Sequence, residues 1–393
     1  MIKYFNLNKL VILYAFAFMF FYPLSLNGEA LSSTHVLVEW SLFSLLIVFC
    51  MCIHTIDLKR MFISGCLLAY LTIATLVIIL SEDFRFSISR LAPVVCSLVI
   101  MCFNFKNEYD KKFLISLLNK IIIIIICINI LLLLNIMPVR QFIVAYYTQY
   151  KSYITDNFIA LGRPIGVFGV GNIAAFFYTG IFLISMMLYQ QTMKRTYLIY
   201  MLLMFALCLR ILNTTSLGYA CLMITYYIYT NYIYNRKSFA IIIVIFFGII
   251  SVVLFGSSLF GTFWENQQAG ANGFCPRYLN ATGIFSKNLS LIKEYPLGIG
   301  YSLPNNDQSN IYFADSGYLV SYTMGNIVFP ITLYTLFYKW IGANIKTKEY
   351  RIVFRVYVFL MELGFVTFLA LRSISLLFIL MIFYSSFENK KQV

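Results

Sequence analysis

Four arginines, two carboxylates and three aromatic residues are the parts of this 393-residue chain with the means to do chemistry. Arg163, Arg210 and Arg372 stand near the ends of apolar stretches, and Arg277 lies in the one long polar segment, 258–312. A guanidinium is planar and always charged, and its five donors form a fixed fork that grips phosphate or carboxylate without a metal. Asp315, with Glu294 in reserve, is a carboxylate able to take the proton from an attacking hydroxyl, a role worth roughly 10²–10⁴-fold in rate. Trp264, Tyr301 and Tyr318 offer flat apolar faces with a polar edge, suited to stacking on rings. These groups suit a transfer reaction in which cations stabilise the charge that builds on an anionic leaving group. Each also has a plainer role open to it. Asp315 is placed to cap a following helix, and Arg277 could fold its loop by pairing with Glu265.

The elements that must position these groups are membrane spans. Hydrophobic residues make up 61% and charged residues 11%, where a soluble domain has about 25% charged, and mean hydropathy is +0.84. The expected fold class is an all-α polytopic membrane protein with about 12 transmembrane helices, each needing about 20 apolar residues unless short or tilted. The segments are Leu10–Leu26, Val36–Ile53, Met61–Leu80, Leu91–Phe103, Phe113–Ile136, Val167–Gln190, Tyr197–Leu212, Thr214–Ile233, Phe239–Ser257, Phe313–Trp340, Ile352–Leu371 and Ile374–Phe387. The first follows Lys3 and Lys9 without a small-residue cleavage site and reads as a retained span. Basic residues are in excess on one side if both termini are cytoplasmic. The long loop between the ninth and tenth spans is then extracytoplasmic. Lys predominates on the inner side and Arg on the outer side. The net charge of +14 is mostly these orienting lysines. No basic strip has the aromatic spacing of a nucleic-acid site.

Two outer segments stand out. In 138–166, Phe142, Tyr146, Tyr150, Tyr153 and Phe158 interleave with Arg140, Lys151 and Asp156, the pattern of an amphipathic helix lying in the interface. Gly162 and Gly166 then allow close backbone bends. In the long loop, 281–293 has the pattern of a short helix, and Pro296-Leu297-Gly298-Ile299-Gly300 marks a turn. Only Cys275 of nine cysteines lies in that loop, and His35 and His54 fall on opposite sides. No disulfide framework, metal cluster or cofactor is implied. Glu362 sits midway along its span and is a functional suspect by default; a contact with Arg or Tyr across helices is the plainer alternative.

The order of motifs resembles that of the O-antigen polymerases and their relatives, the O-antigen ligases. Arg163-Pro164-Ile165-Gly166 precedes an apolar span, and Arg277 stands in the large loop. Ile292-Lys293-Glu294-Tyr295-Pro296-Leu297-Gly298-Ile299-Gly300 follows, then Asp315-Ser316-Gly317-Tyr318-Leu319 leads into a span holding Gly325. The pattern covers Arg163 to Gly325, with span number and loop placement agreeing over the whole chain. Asn172 only loosely matches an asparagine of the ligase-like sequences. No histidine stands in the loop or near Asp315, which disfavours the ligase branch.

The resemblance implies a glycosyltransferase-C-like fold in a bacterial inner membrane. It implies transfer of a growing glycan from undecaprenyl pyrophosphate to a new lipid-linked repeat unit at the periplasmic face. Arg163 and Arg277 would grip the pyrophosphate, with Arg210 and Arg372 as second candidates, and Asp315 would be the base. The substrate would be an undecaprenyl-pyrophosphate-linked oligosaccharide, with a chain-length regulator and a flippase as partners. A ligase, or a flippase for lipid-linked oligosaccharide, is the alternative.

Overall fold

The computed structural model describes residues 7–21, 33–80, 83–105, 109–147, 152–211, 214–232, 279–280, 283–305 and 316–388. Among them are 15 α-helices. Helices suit a chain this apolar, because they satisfy their own backbone where lipid offers no partner. The first ten are α1 Leu7–Phe21, α2 Ser33–Ile53, α3 Leu58–Ile79, α4 Ile88–Met101, α5 Lys111–Leu133, α6 Met137–Tyr147, α7 Ser152–Ala160, α8 Gly171–Thr192, α9 Arg195–Ile211 and α10 Thr214–Tyr232. Beyond the long segment come α11 Ile284–Glu294, α12 Gly317–Gly325, α13 Val328–Asn344, α14 Lys348–Met361 and α15 Leu371–Ser386.

Three helices, α3, α5 and α8, are long and apolar enough to cross a membrane. The chain is thus a helical protein with membrane-spanning character. Helix α8 is apolar on every side and 94% of its most apolar window is buried. It forms the centre of the bundle, against α9, α10 and α15. Helices α3 and α5 bury only 33% of theirs and turn Ile73, Leu76, Ile123 and Ile130 outward. The expected segment Phe239–Ser257 lies outside the described residues.

Aspartates start two of the long helices. Asp57 accepts from the backbone N–H of Lys59 and Arg60, and Asp110 from those of Lys112 and Phe113, each satisfying orphan donors of a first turn. Arg60 is buried and donates to the Met101 carbonyl at 2.6 Å. It pins α3 to α4 and is not a charge set against lipid. Short antiparallel pairings add two ties. Strand β1 (Thr55–Ile56) pairs with β3 (Phe103–Asn104), and β2 (Phe84–Phe86) with β4 (Ser302–Pro304).

Two expected spans are broken. Phe313–Trp340 is two helices, α12 and α13, separated at Asn326, whose φ of +50° ends the first. Tyr318 and Tyr334 lie eight residues either side of Asn326, and their rings meet at 5.1 Å. The pair is therefore an antiparallel hairpin. Helix α12 is about 14 Å long, too short for a hydrocarbon core of about 30 Å. The turn at Pro296–Gly300 closes its C-terminal end. Ile299 N–H donates to the Thr323 carbonyl at 2.9 Å and Gly300 N–H to that of Met324 at 2.8 Å, satisfying carbonyls a helix end leaves open. Gly298 and Gly300 have φ of +84° and +57°, and a β-carbon on either would strike backbone of α12 or α3.

The second break is in Ile352–Leu371, where α14 stops at Met361 and residues 363–370 are not helical. Donors from other helices permit that stop. Tyr318 Oη donates to the Phe359 carbonyl at 2.7 Å and Tyr219 Oη to that of Met361 at 3.3 Å. Gly317 N–H and Ser316 Oγ donate to the Glu362 carbonyl at 2.9 and 3.2 Å.

Candidate active site

Three of the four arginines singled out in the sequence meet on one loop, Gly162–Gly169. Arg163 follows α7 and is half-buried, with its guanidinium 5.0 Å from the centre of the Phe158 ring. Burial lowers its pKa from the ordinary value, though an arginine stays charged. Arg210, in the last turn of α9, is exposed, and its Nε donates to the Gly162 carbonyl at 3.3 Å. Arg372, at the start of α15, is 6% exposed and donates from Nη2 to the Val167 carbonyl at 3.0 Å. Its guanidinium also lies over Phe168 and Phe177, at 4.9 and 5.6 Å.

The loop is held from outside. Tyr178 Oη donates to the Pro164 carbonyl at 2.8 Å and accepts from Asn129 Nδ2 at 2.8 Å. Thr155 Oγ1 donates to the Gly169 carbonyl at 3.0 Å. Gly166 has φ of +53°, and a β-carbon there would crowd Tyr178 Oη at 3.0 Å. Among the described residues neither Arg163 nor Arg210 meets a carboxylate. Arg140 of α6, by contrast, pairs with Asp156 of α7 at 2.7 Å. Helices α6 and α7, the described part of the expected amphipathic segment ahead of the loop, are thus clasped together, with Phe142 and Tyr146 exposed and their rings stacked at 5.3 Å.

The other candidates divide. Arg277, Trp264 and Asp315 lie outside the described residues, as does Cys275. Glu294 is exposed at the end of α11, and no contact among the described residues links it to the arginine loop. Tyr301 is 2% exposed and its backbone N–H donates to Thr75 Oγ1 at 2.8 Å. Its ring is part of the packing and offers no open face. Tyr318 is half-buried, bonded to the Phe359 carbonyl and packed on Tyr334, so its visible work is to hold the helix hairpin.

Glu362 gains an importance that its lone position in an apolar run only suggested. It is 1% exposed. Oε1 accepts from the N–H of Thr367 at 2.8 Å and of Phe368 at 3.3 Å. Oε2 accepts from Tyr334 Oη at 3.1 Å. A tyrosine contact across helices is therefore present. Gly317 must lack a side chain, because a β-carbon there would run into the Glu362 carboxyl. Asn172 Nδ2 donates to the Gly364 carbonyl at 3.4 Å, joining the start of α8 to the same non-helical stretch. That stretch runs from Glu362 to Ala370, and Arg372 stands just beyond it in the first turn of α15. The sequence signal for it was one intramembrane acid followed closely by Gly364.

No family model, curated protein or solved structure matches the chain. The chain is a mostly helical protein with membrane-spanning character, and its arginine-bearing loop leads into the buried helix α8.

Proposed function

We propose that the chain is a surface-polysaccharide polymerase of the O-antigen type, a glycosyltransferase acting on glycans carried by undecaprenyl pyrophosphate. It works at the periplasmic face of a bacterial inner membrane, with both termini cytoplasmic and about 12 spans. The bond between the donor sugar's anomeric carbon and the phosphate oxygen breaks, and the lipid diphosphate leaves with that electron pair. The acceptor hydroxyl forms the new glycosidic bond and gives its proton to a carboxylate, for which Asp315 is the choice. Arg163, Arg210 and Arg372, with Arg277 from the long loop, bind the diphosphate as charge gathers on it. A chain-length regulator and a flippase are the expected partners.

One observation carries this reading. Arg163 stands on the Gly162–Gly169 loop, guanidinium groups from α9 and α15 reach two carbonyls of that loop, and Arg163 and Arg210 meet no carboxylate among the described residues. A half-buried cation such as Arg163, with donors unspent among the described residues, is stabilised when an anion arrives.

The test is Arg163→Lys, which keeps the charge and removes the fork. The variant is expressed in cells deleted for the native gene and surface glycan is resolved on gels. The deletion is expected to leave single repeat units, and the Lys variant to restore a ladder weaker by at least about tenfold. A normal ladder from Arg163→Lys removes bidentate diphosphate binding from the proposal, and a normal ladder in the deletion removes the polymerase itself.

A further inference from the structure

We infer that Glu362 is a positioning residue: its carboxylate folds residues 363–370 into the loop that delivers Arg372 to the Gly162–Gly169 backbone. The functional meaning rests on the polymerase reading, while the mechanical coupling does not.

Helix α14 stops at Met361 although its sequence stays apolar beyond Glu362. Residues 363–370 include Leu363, Phe365, Val366, Phe368, Leu369 and Ala370, which hydropathy alone would assign to a continuing span. Released backbone N–H groups in such surroundings need acceptors. Glu362 Oε1 supplies one acceptor to two of them, Thr367 and Phe368. Such an arrangement draws the stretch back over the end of α14. Tyr334 holds Oε2 from the opposite side, so the carboxylate is fixed by α13 while it fixes the loop. Phe365 packs on Phe176 with ring centres 5.1 Å apart, and Tyr357 Oη donates to the Phe176 carbonyl at 2.7 Å. The loop is thereby seated on α8.

Helix α15 then begins at Leu371, and its second residue is Arg372. The bond from Arg372 to the Val167 carbonyl thus depends on where residues 363–370 place the start of α15. Four chain segments share the joint: 316–317, Tyr334, 363–370 and the loop at Val167. A contiguous chain of packed and hydrogen-bonded groups of this kind carries coupling between sites.

The test is hydrogen exchange on the detergent-solubilised full chain, read by peptide. Glu362→Asp keeps the charge and shortens the reach, so that Thr367 and Phe368 lose their acceptor. Exchange is expected to rise roughly two- to thirtyfold in 363–370 and, with it, in 162–169, while peptides of α3 stay as in wild type. Glu362→Gln keeps an acceptor at the same place and is expected to restore both regions. Tyr334→Phe, which removes one donor and leaves the acid, gives a smaller rise in both and serves if the Asp variant does not fold. Loosening of 363–370 without change in 162–169 overturns the inference, as does an unaltered pattern in both regions.

In the elongation assay, Glu362→Asp is expected to cost little more once Arg372 is already Lys. Additive losses in that double variant would show that the acid does not act through Arg372. If the wild type elongates no glycan, the polymerase reading falls and the exchange experiment still decides the coupling.

Discussion

The arginine loop and the Glu362 joint are both polar groups set against an apolar bundle, and they are built in opposite ways. Among the described residues, Arg163 and Arg210 spend few donors; Arg210 gives a bond to the Gly162 carbonyl, and Arg163 lies on the face of Phe158. Glu362 is enclosed, with three donors on its two oxygens. The first region keeps binding capacity and the second uses it on the fold. A buried acid surrounded by donors is strongly structural, because each donor left without it is costly. A half-exposed guanidinium with open donors contributes little to folding and has more to offer a ligand.

The comparison breaks first at Glu362→Ala. Loss of the carboxylate takes the acceptor from two backbone N–H groups and one partner from the Tyr334 hydroxyl, and is expected to lower stability by about 3–5 kcal/mol. Arg163→Ala is expected to cost under about 1 kcal/mol while abolishing elongation. Thermal unfolding in detergent beside a glycan ladder reads both. Equal losses of stability would erase the distinction between the regions.

A sharper and smaller contrast comes from glycine. Gly317→Ala pushes a methyl into the Glu362 carboxyl and is expected to cost about 1–3 kcal/mol. Gly166→Ala meets Tyr178 Oη at 3.0 Å with φ of +53° and is expected to cost about 1–2 kcal/mol. Both changes should disturb elongation beyond their effect on protein yield, Gly166→Ala more strongly because it deforms the arginine loop directly and Gly317→Ala less because it acts through Glu362 and Arg372.

The smallest effect concerns the clasp beside that loop. The hydrogen bond and charge of Arg140 hold the Asp156 carboxyl below its ordinary pKa of 3.8. A group depressed on folding contributes stability above its unfolded pKa and loses it as pH falls through the folded value. The α6–α7 clasp should therefore be intact at neutral pH and loosen only below about pH 4. The pair is partly open to solvent, so its worth is at most about 1 kcal/mol. Exchange in α7 measured between pH 3 and 5 is the check, and Asp156→Asn should remove the pH dependence.

Much of the helical layout was legible from apolar segments alone. The expected Met61–Leu80 is α3 at Leu58–Ile79, the expected Thr214–Ile233 is α10 at Thr214–Tyr232, and the short helix expected over 281–293 is α11 at Ile284–Glu294. The expected spans Phe313–Trp340 and Ile352–Leu371 differ from the structure for one reason. Hydropathy averages composition over a window and does not register where backbone hydrogen bonding stops. Gly325-Asn326 was a stop signal available in the sequence, but the stop at Glu362 depends on donors from α10, α12 and α13 that no local window contains.

The chain by itself determined that it is apolar, helical and suited to lipid, because these follow from composition and short-range hydrogen bonding. It also supplied the arginines and the solitary acid as residue types with chemical capacity. Tertiary structure alone decided that Arg163, Arg210 and Arg372, separated by up to 209 positions, share one loop, and that Tyr301 and Tyr318 are packing. Proximity between distant residues is created when helices find partners for their buried faces and open carbonyls, and that choice is made by the whole bundle.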